Sequence, residues 1–376
     1  MFVSMKTWSF HLRPVEFVVS PKIVCWLLLQ FMVALPAMAQ SGTSKYNLVR
    51  LQPAANVSGV TAEDVNNSAN VVGTYQSSSG LVGYFYEHAA AAGQKYKTLG
   101  SSLKPYGLNE FNEMVGSDEQ LQLGVYWASP TSVPGWLPPL TGDAVSRGQD
   151  INNSGVVVGI SRLTPTSALS VVAWRLGTAG QIQGPVMLPT PDGFGMAVVR
   201  GLSEEVEGIT TVVGRSAIDP TRGVVWSVGA DASGNPVCLN AVELALASDV
   251  HGVNDFGDVA GATATTPAKP FLKYAENDPG QLTLLSLISK ATSGTAFDVN
   301  NQLQVAGENS YVSRGTFISR AVLWTNPQTA VDLNLFVTLG KSESLTRAYE
   351  INDRGDILVN LAKNGSSVGP CLLISP

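Results

Sequence analysis

Asp150-Ile151-Asn152-Asn153-Ser154-Gly155-Val156-Val157-Val158-Gly159 reads as one β-hairpin. A strand ends on the apolar Ile151, Asn152 and its polar followers turn the chain, and three valines closing on glycine begin the returning strand. Asparagine suits the turn because its side chain caps its own backbone and tolerates a left-handed conformation. The phrase recurs: Asn66 leads to Gly73, Asn109 to Gly116, Asn254 to Gly261 and Asn300 to Gly307, each seven residues on. Asn352 leads to Val359 at the same interval, and a copy at Leu202-Ser203 reaches Val213-Gly214 after four extra residues. Successive anchors are 43, 43, 51, 51, 46 and 52 residues apart, which fits units of four short strands and is too long for β-helix coils.

Beyond each hairpin comes an apolar segment ending in a large side chain: Tyr84-Phe85-Tyr86, Val125-Tyr126-Trp127, Val172-Ala173-Trp174, Val224-Val225-Trp226, Phe271-Leu272, Val322-Leu323-Trp324 and Leu372-Leu373. Trp127, Trp174, Trp226 and Trp324 fall in this one column, which assigns them to the core between units. A Leu- and Pro-rich fourth strand follows in the first six units, at 96–99, 136–140, 185–188, 236–239, 282–287 and 331–335. The seventh unit has none, but an orphan of the same kind, 46–51, precedes the first. A terminal strand that completes the last sheet removes the free edges of an open array. The expected fold is therefore all-β, a seven-bladed β-propeller whose N-terminal strand closes the last blade. Its units are 52–102, 103–143, 144–195, 196–245, 246–289, 290–339 and 340–376, plus the closing strand 46–51, within a single domain 40–376.

The pattern Ala-x-x-Ile-Asn-x-x-Gly-x-Val-Val-Gly, followed by an apolar strand ending in Trp and then a Leu-rich strand, resembles the bacterial extracellular repeats called the HAF family. The matches are clearest at 150–159, 249–261 and 348–359, and the resemblance spans 46–376. The His-Ala-Phe of the family's name is missing from the third strands, and the fourth unit has lost its Asn. The resemblance implies export and a repeat architecture rather than a particular reaction.

The first 39 residues read as an address. Lys6, Arg13 and Lys22 precede an apolar run at 23–35, and Ala37 and Ala39 satisfy the small-x-small rule for signal peptidase, so cleavage is expected after Ala39. Thirteen residues, apolar but for Gln30, are too few for a membrane span, which needs roughly 20. Met5 is an alternative start to Met1. The exported part has 20 basic against 28 acidic residues, a net charge of −8, and only 14% of the full chain is charged. That excludes a bulk-cationic nucleic-acid binder and a solvated disordered chain. Cys238 and Cys371 remain after cleavage and read as free thiols, so stability rests on the core.

Candidate chemistry is sparse. Asp150, Asn152 and Ser154 before Gly155 resemble the start of a calcium loop, but the ninth position is Val158, and turn chemistry is the stronger reading. His88 and His251 lack metal-ligand spacing, so no metal or cofactor is expected. Glu204, Glu205 and Glu207 read as a solvated loop, and Arg354-Gly355-Asp356 as an ordinary hairpin turn.

The column three residues before each anchor stands out: Glu63, Tyr106, Gln149, Arg200, His251, Phe297 and Tyr349. Innermost strands line a propeller's channel, so these seven are the ligand-binding candidates, with Lys104, Arg147 and Arg347 two residues earlier on the same face if the strands are regular. The reading is an exported, monomeric, non-catalytic binding module whose partner is a glycan, a small anion or a protein. No nucleic acid is expected, and no membrane span once the leader is gone. Two alternatives stand beside it: an enzyme at the channel mouth using Glu63, His251, Arg200 or Tyr349, and a structural envelope or matrix protein.

Overall fold

The computed structural model describes residues 46–177, 181–219, 221–244 and 246–376, and the expected leader and its cleavage site lie outside them. Among the described residues the strands form seven four-stranded antiparallel sheets, the blades of a β-propeller. Valine-rich strands with glycine punctuation favour this arrangement, because each sheet buries both faces against its neighbours. In chain order the innermost strands are Asp64–Val65, Leu103–Leu108, Val145–Ile151, Ala197–Leu202, Ala247–Val253, Ser293–Val299 and Glu343–Ile351, and they number the blades 1 to 7.

Blade 7 is closed from the other end of the chain. Its innermost strand pairs with Ile357–Lys363, that with Ser366–Ile374, and the last with Asn47–Arg50. The closing register runs from Asn47 opposite Ile374 to Arg50 opposite Cys371. Leu51 is buried beside Leu358 and Leu372, and Tyr46 and Leu48 pack on the core between blades 6 and 7.

Two outermost strands are shorter than their sequence suggests. In blade 5 the outermost strand is only Thr283–Leu284: Leu285 N still donates to Pro270 O of its own blade, and Ser286 N then leaves for Pro327 O of the next. In blade 6 the strand Thr329–Asp332 gives way to a 3₁₀ turn, Leu333–Leu335, which Asp332 caps by accepting from Asn334 N.

The tryptophan column staples blade to blade. Trp174 Nε1 donates to Pro138 O at 2.9 Å, Trp226 Nε1 to Pro189 O at 2.7 Å and Trp324 Nε1 to Ser286 O at 2.7 Å, each acceptor just beyond the outermost strand of the preceding blade. Trp127 is equally buried, but its Nε1 has no partner among the described residues.

Around the axis the hairpin asparagines do more than cap turns. Each Oδ1 accepts from its own turn, as Asn300 does from Gln302 N and Gln304 N. Each Nδ2 donates to the backbone carbonyl of the corresponding residue in the next blade: Asn66 to Asn109, Asn109 to Asn152, Asn152 to Ser203, Asn254 to Asn300, Asn300 to Asn352 and Asn352 back to Asn66. The relay is broken once, at Ser203, which stands in blade 4 where the other copies have Asn.

A second ring lies one residue on and has no gap. Each backbone N–H donates to a side-chain oxygen of the next blade: Asn67 to Glu110, Glu110 to Asn153, Asn153 to Glu204, Glu204 to Asp255, Asp255 to Asn301, Asn301 to Asp353 and Asp353 to Asn67. Glu204 is therefore no solvated loop acid. Both its oxygens take Asn153 N, while Glu205 pairs with Arg175 at 2.8 Å.

Deleting 46–51 removes a four-residue ladder and the burial of Leu51, and should lower the melting temperature of the 40–376 domain by at least about 5 °C, since burying a leucine is worth roughly 2 kcal/mol. An unchanged melting curve would contradict the closure. Asn300→Ala strips one buried and two partly buried backbone groups of their partners and should cost about 1–3 kcal/mol in urea unfolding, with a loss below about 0.5 kcal/mol counting against the relay.

Candidate functional site

The channel is lined by a departure from regular strand geometry. In six innermost strands the ladder skips one residue: between Pro105 and Gly107, Gly148 and Asp150, Val199 and Gly201, Val250 and Gly252, Ala296 and Asp298, and Ala348 and Glu350. The skipped residues are Tyr106, Gln149, Arg200, His251, Phe297 and Tyr349. In blade 1, Glu63 N donates to Val72 O although Asp64 is the residue paired with Val72. A bulge re-aims side chains and lets two successive residues face the same way. All seven candidates line one cavity of about 510 Å³ at the end where the innermost strands begin.

Charges at this mouth are arranged on aromatic rings. Lys104 Nζ lies 4.6 Å and Arg147 Cζ 5.1 Å from the Tyr106 ring centre, and Arg347 Cζ lies 4.6 Å from that of Phe297. His251 meets the Phe297 ring edge to face at 4.8 Å. Cations on ring faces gain both stacking and electrostatic attraction, and a stacked guanidinium keeps its in-plane donors free. Lys104 faces Glu63 at 3.7 Å, and Arg347 grips Glu308 with two nitrogens at 3.0 and 3.3 Å.

Arg200 and Arg215 converge on Asp249 at 3.6 and 3.0 Å, and Arg147 lies close enough to oppose the charge of Arg200. Arg147 itself makes no ion pair among the described residues, and its buried Nε has no partner. Three guanidiniums against one carboxylate leave an excess of two positive charges on this side. His251 Nε2 is 3.1 Å from Asp249 Oδ2, a close charge contact without the alignment of a good hydrogen bond. Burial and the neighbouring arginines hold the His251 imidazole below its usual pKa despite Asp249. Burial opposes ionisation of Asp249, yet His251, Arg200 and Arg215 hold it below the usual carboxylate range.

One residue deeper lies a tier that reads Asp64, Gly107, Asp150, Gly201, Gly252, Asp298 and Glu350 around the ring. Asp64 takes Val65 N and Leu108 N, Asp150 takes Ile151 N and Leu202 N, and Asp298 takes Val299 N and Ile351 N, so each aspartate ties its blade to the next. Glycine precedes two of these acids for a steric reason. A Cβ on Gly107 would lie 2.7 Å from Asp150 Cα, and one on Gly252 would lie 2.5 Å from Asp298 Oδ1. Burial pushes Asp64 up to about 7, with the charges of Asp298 and Glu110 adding to it, and Asp298 up to about 6, with Asp353 adding and a hydrogen bond from Glu350 opposing. Burial and neighbouring acids raise Asp150 and Glu350 well above the carboxylate range, and Glu350 shares a hydrogen bond with Asp298.

Beyond this tier a second cavity of about 270 Å³ opens at the hairpin end, rimmed by the ring of Glu110, Glu204, Asp255 and Asp353 with their asparagine neighbours. Burial raises Glu204 to about 7. The two cavities meet at Asp64, Asp150, Asp298 and Glu350, so the channel runs from a cationic mouth across an acidic floor to an acidic exit.

Other singled-out residues are placed plainly. Asp150 is committed to backbone N–H groups rather than to a loop cation. In Arg354-Gly355-Asp356 the aspartate is 2% exposed and bonded to Asn352 Nδ2 and Ser375 N. Cys238 and Cys371 are free thiols. The floor acids escaped the reading of single copies. Their column two residues before the anchor, acid or glycine in every copy, held the clue.

No family model matches the chain, and no curated protein matches it. Solved structures do. One comes from a study of two prolyl endopeptidases (12% identity, TM-score 0.51), covering 91% of this chain and 50% of that one. Prolyl oligopeptidase B from Galerina marginata matches at 10% identity and TM-score 0.52, over 83% of this chain and 48% of that one. YCF48 from Cyanidioschyzon merolae matches at 10% identity and TM-score 0.50, over 88% of this chain and 99% of that one. The chain spans about half the length of the two peptidases, and at these identities the likeness is one of fold.

The floor makes stability depend on pH. Asp64 and Asp298 are raised above their unfolded values near 4, so the folded state holds these protons more tightly. Their contribution is complete below about pH 4 and lost as pH rises through about 6 to 7. Calorimetry should show a melting temperature that falls between about pH 5 and about pH 8, and Glu350→Gln should lessen the fall by at least about 2 °C. Parallel profiles in the two proteins would refute the assignment.

Proposed function

We propose that this chain is an exported, non-catalytic binding module that takes a small ligand bearing an anionic group at the cationic mouth of its channel. The observation that carries the reading is the bulge repeated in six innermost strands, which delivers the seven column residues to one cavity. A backbone geometry repeated from blade to blade with varied side chains at its mouth suits a binding site. Anion recognition follows from the excess of guanidinium beside Asp249. Because Lys104, Arg147 and Arg347 lie over the rings of Tyr106 and Phe297, the rings serve to orient cations more than to stack a sugar. Export rests on the leader ending at Ala39 and on the resemblance to HAF-type extracellular repeats, with the mature chain starting at Gln40.

The Asp298–Glu350 pair favours a second reading, an acid–base enzyme with one protonated and one ionised carboxyl. Against it, both Asp298 oxygens already hold backbone N–H groups. His251, for its part, packs between Asp249 and Phe297 rather than against a hydroxyl or thiol.

A thermal-shift screen of small carboxylates, phosphates, sulfates and of anionic and neutral glycans tests the proposal on the 40–376 domain. Anionic compounds should raise the melting temperature by a few degrees, and replacing Arg200 and His251 together by alanine should abolish the shift. No shift across the panel, or equal shifts in the double variant, would overturn it.

A further inference from the structure

Resting on the binding reading just given, we propose that the ligand is a compact zwitterion, with an ammonium group seated on the acidic floor and a carboxylate held at the arginine rim.

The cavity is electrically two-sided. Of its lining arginines, Arg200 stands on blade 4 with Arg147 and Arg215 near it, while Arg347 on blade 7 is already paired with Glu308. Three of its four floor acids, Asp298, Glu350 and Asp64, belong to the consecutive blades 6, 7 and 1 across the ring. The two tiers are successive residues on the same strands, so they are roughly 3.3 Å apart along the axis. A simple anion would satisfy the rim and face repulsion from the floor, while a simple cation would do the reverse. A molecule with both charges a few bonds apart answers both at once, and about 510 Å³ accommodates one of amino-acid or small-peptide size.

Two further observations point to an occupant. Arg147 Nε is buried with no partner although Tyr106 fixes the guanidinium. On the opposite side, the Glu350 carboxyl bonds Asp298 and feels the charges of Asp64 and Asp150 but takes no backbone N–H among the described residues, whereas the three aspartates are each held by two backbone N–H groups. An ammonium donor beside Glu350 would answer the acidic charges of Asp298, Asp64 and Asp150 that hold the proton on Glu350.

Isothermal titration of the 40–376 domain with ω-amino acids from glycine to 6-aminohexanoate, beside the matched n-alkanoates and n-alkylamines, tests this. At least one amino acid should bind at least about tenfold more tightly than both its half-molecules, and Arg147→Ala and Glu350→Gln should each remove that advantage. Alkanoates binding as tightly as amino acids, with loss in Arg147→Ala, would overturn the zwitterion and leave the anion-binding module standing. Binding of none of the three series would also overturn it, and the broader anion screen then judges the module separately. The ligand series is decisive on the wild-type protein even if a variant fails to fold.

Discussion

The structure depends on a closed circle of hydrogen bonds at its axis. Seven sheets that each bury both faces need a geometry in which every sheet has two neighbours, and only a ring supplies it. Asn352 Nδ2 reaching Asn66 O, and Asp353 N reaching Asn67 Oδ1, join the last unit to the first at the narrowest radius. The terminal strand Asn47–Arg50 joins them again near the widest. Closure near the axis and at the periphery resists different distortions, since axial bonds oppose the opening of the channel and the outer strand opposes the splaying of the last blade. The lone break in the asparagine relay, at Ser203, sits where the neighbouring ring has Glu204 bonded on both sides, so the blade 4 boundary keeps its axial contact.

This frame frees the channel from the core. In a blade both faces of a regular strand pack on the neighbouring blades, so an unbroken innermost strand has few side chains to spare for the channel. The bulge before each anchor adds a residue outside the ladder, so Tyr106, Arg200 or His251 varies while the residue next to the anchor stays Val, Leu or Ile and stays in the core. The acid floor obeys a different rule, because its side chains cross blade boundaries and must fit their neighbours. Gly107 and Gly252 are small because Asp150 and Asp298 lean over them.

The sequence made legible what a repeat repeats within one copy. Turn, Val-Val-Gly run and aromatic strand are local, and an orphan strand at 46–51 beside a unit lacking its fourth strand left ring closure as the economical reading. The seven column residues were visible because their variety contrasts with the uniform position beside them. What stayed hidden was whatever joins copies to each other. Glu204 read as one of three loop acids, yet its column, Asn67, Glu110, Asn153, Glu204, Asp255, Asn301 and Asp353, offers an oxygen in every copy, and only the ring shows what each oxygen accepts. The short outermost strands of blades 5 and 6 were likewise overextended, because their ends are set by bonds to the next blade.

The floor also explains why so polar a channel survives in so apolar a protein. Four carboxyls in one narrow tier repel each other, and burial raises them all. Replacing them with aliphatic residues would remove that penalty, but it would also remove the acceptors for Leu108, Leu202 and Ile351 N–H, each on a blade boundary. The aspartates thus stand as structural acceptors whose charge is a by-product. Glu350 does not fit that account, since no backbone N–H depends on it. An acid whose one bond, to Asp298, holds no backbone group is the floor residue left free to meet what enters the channel.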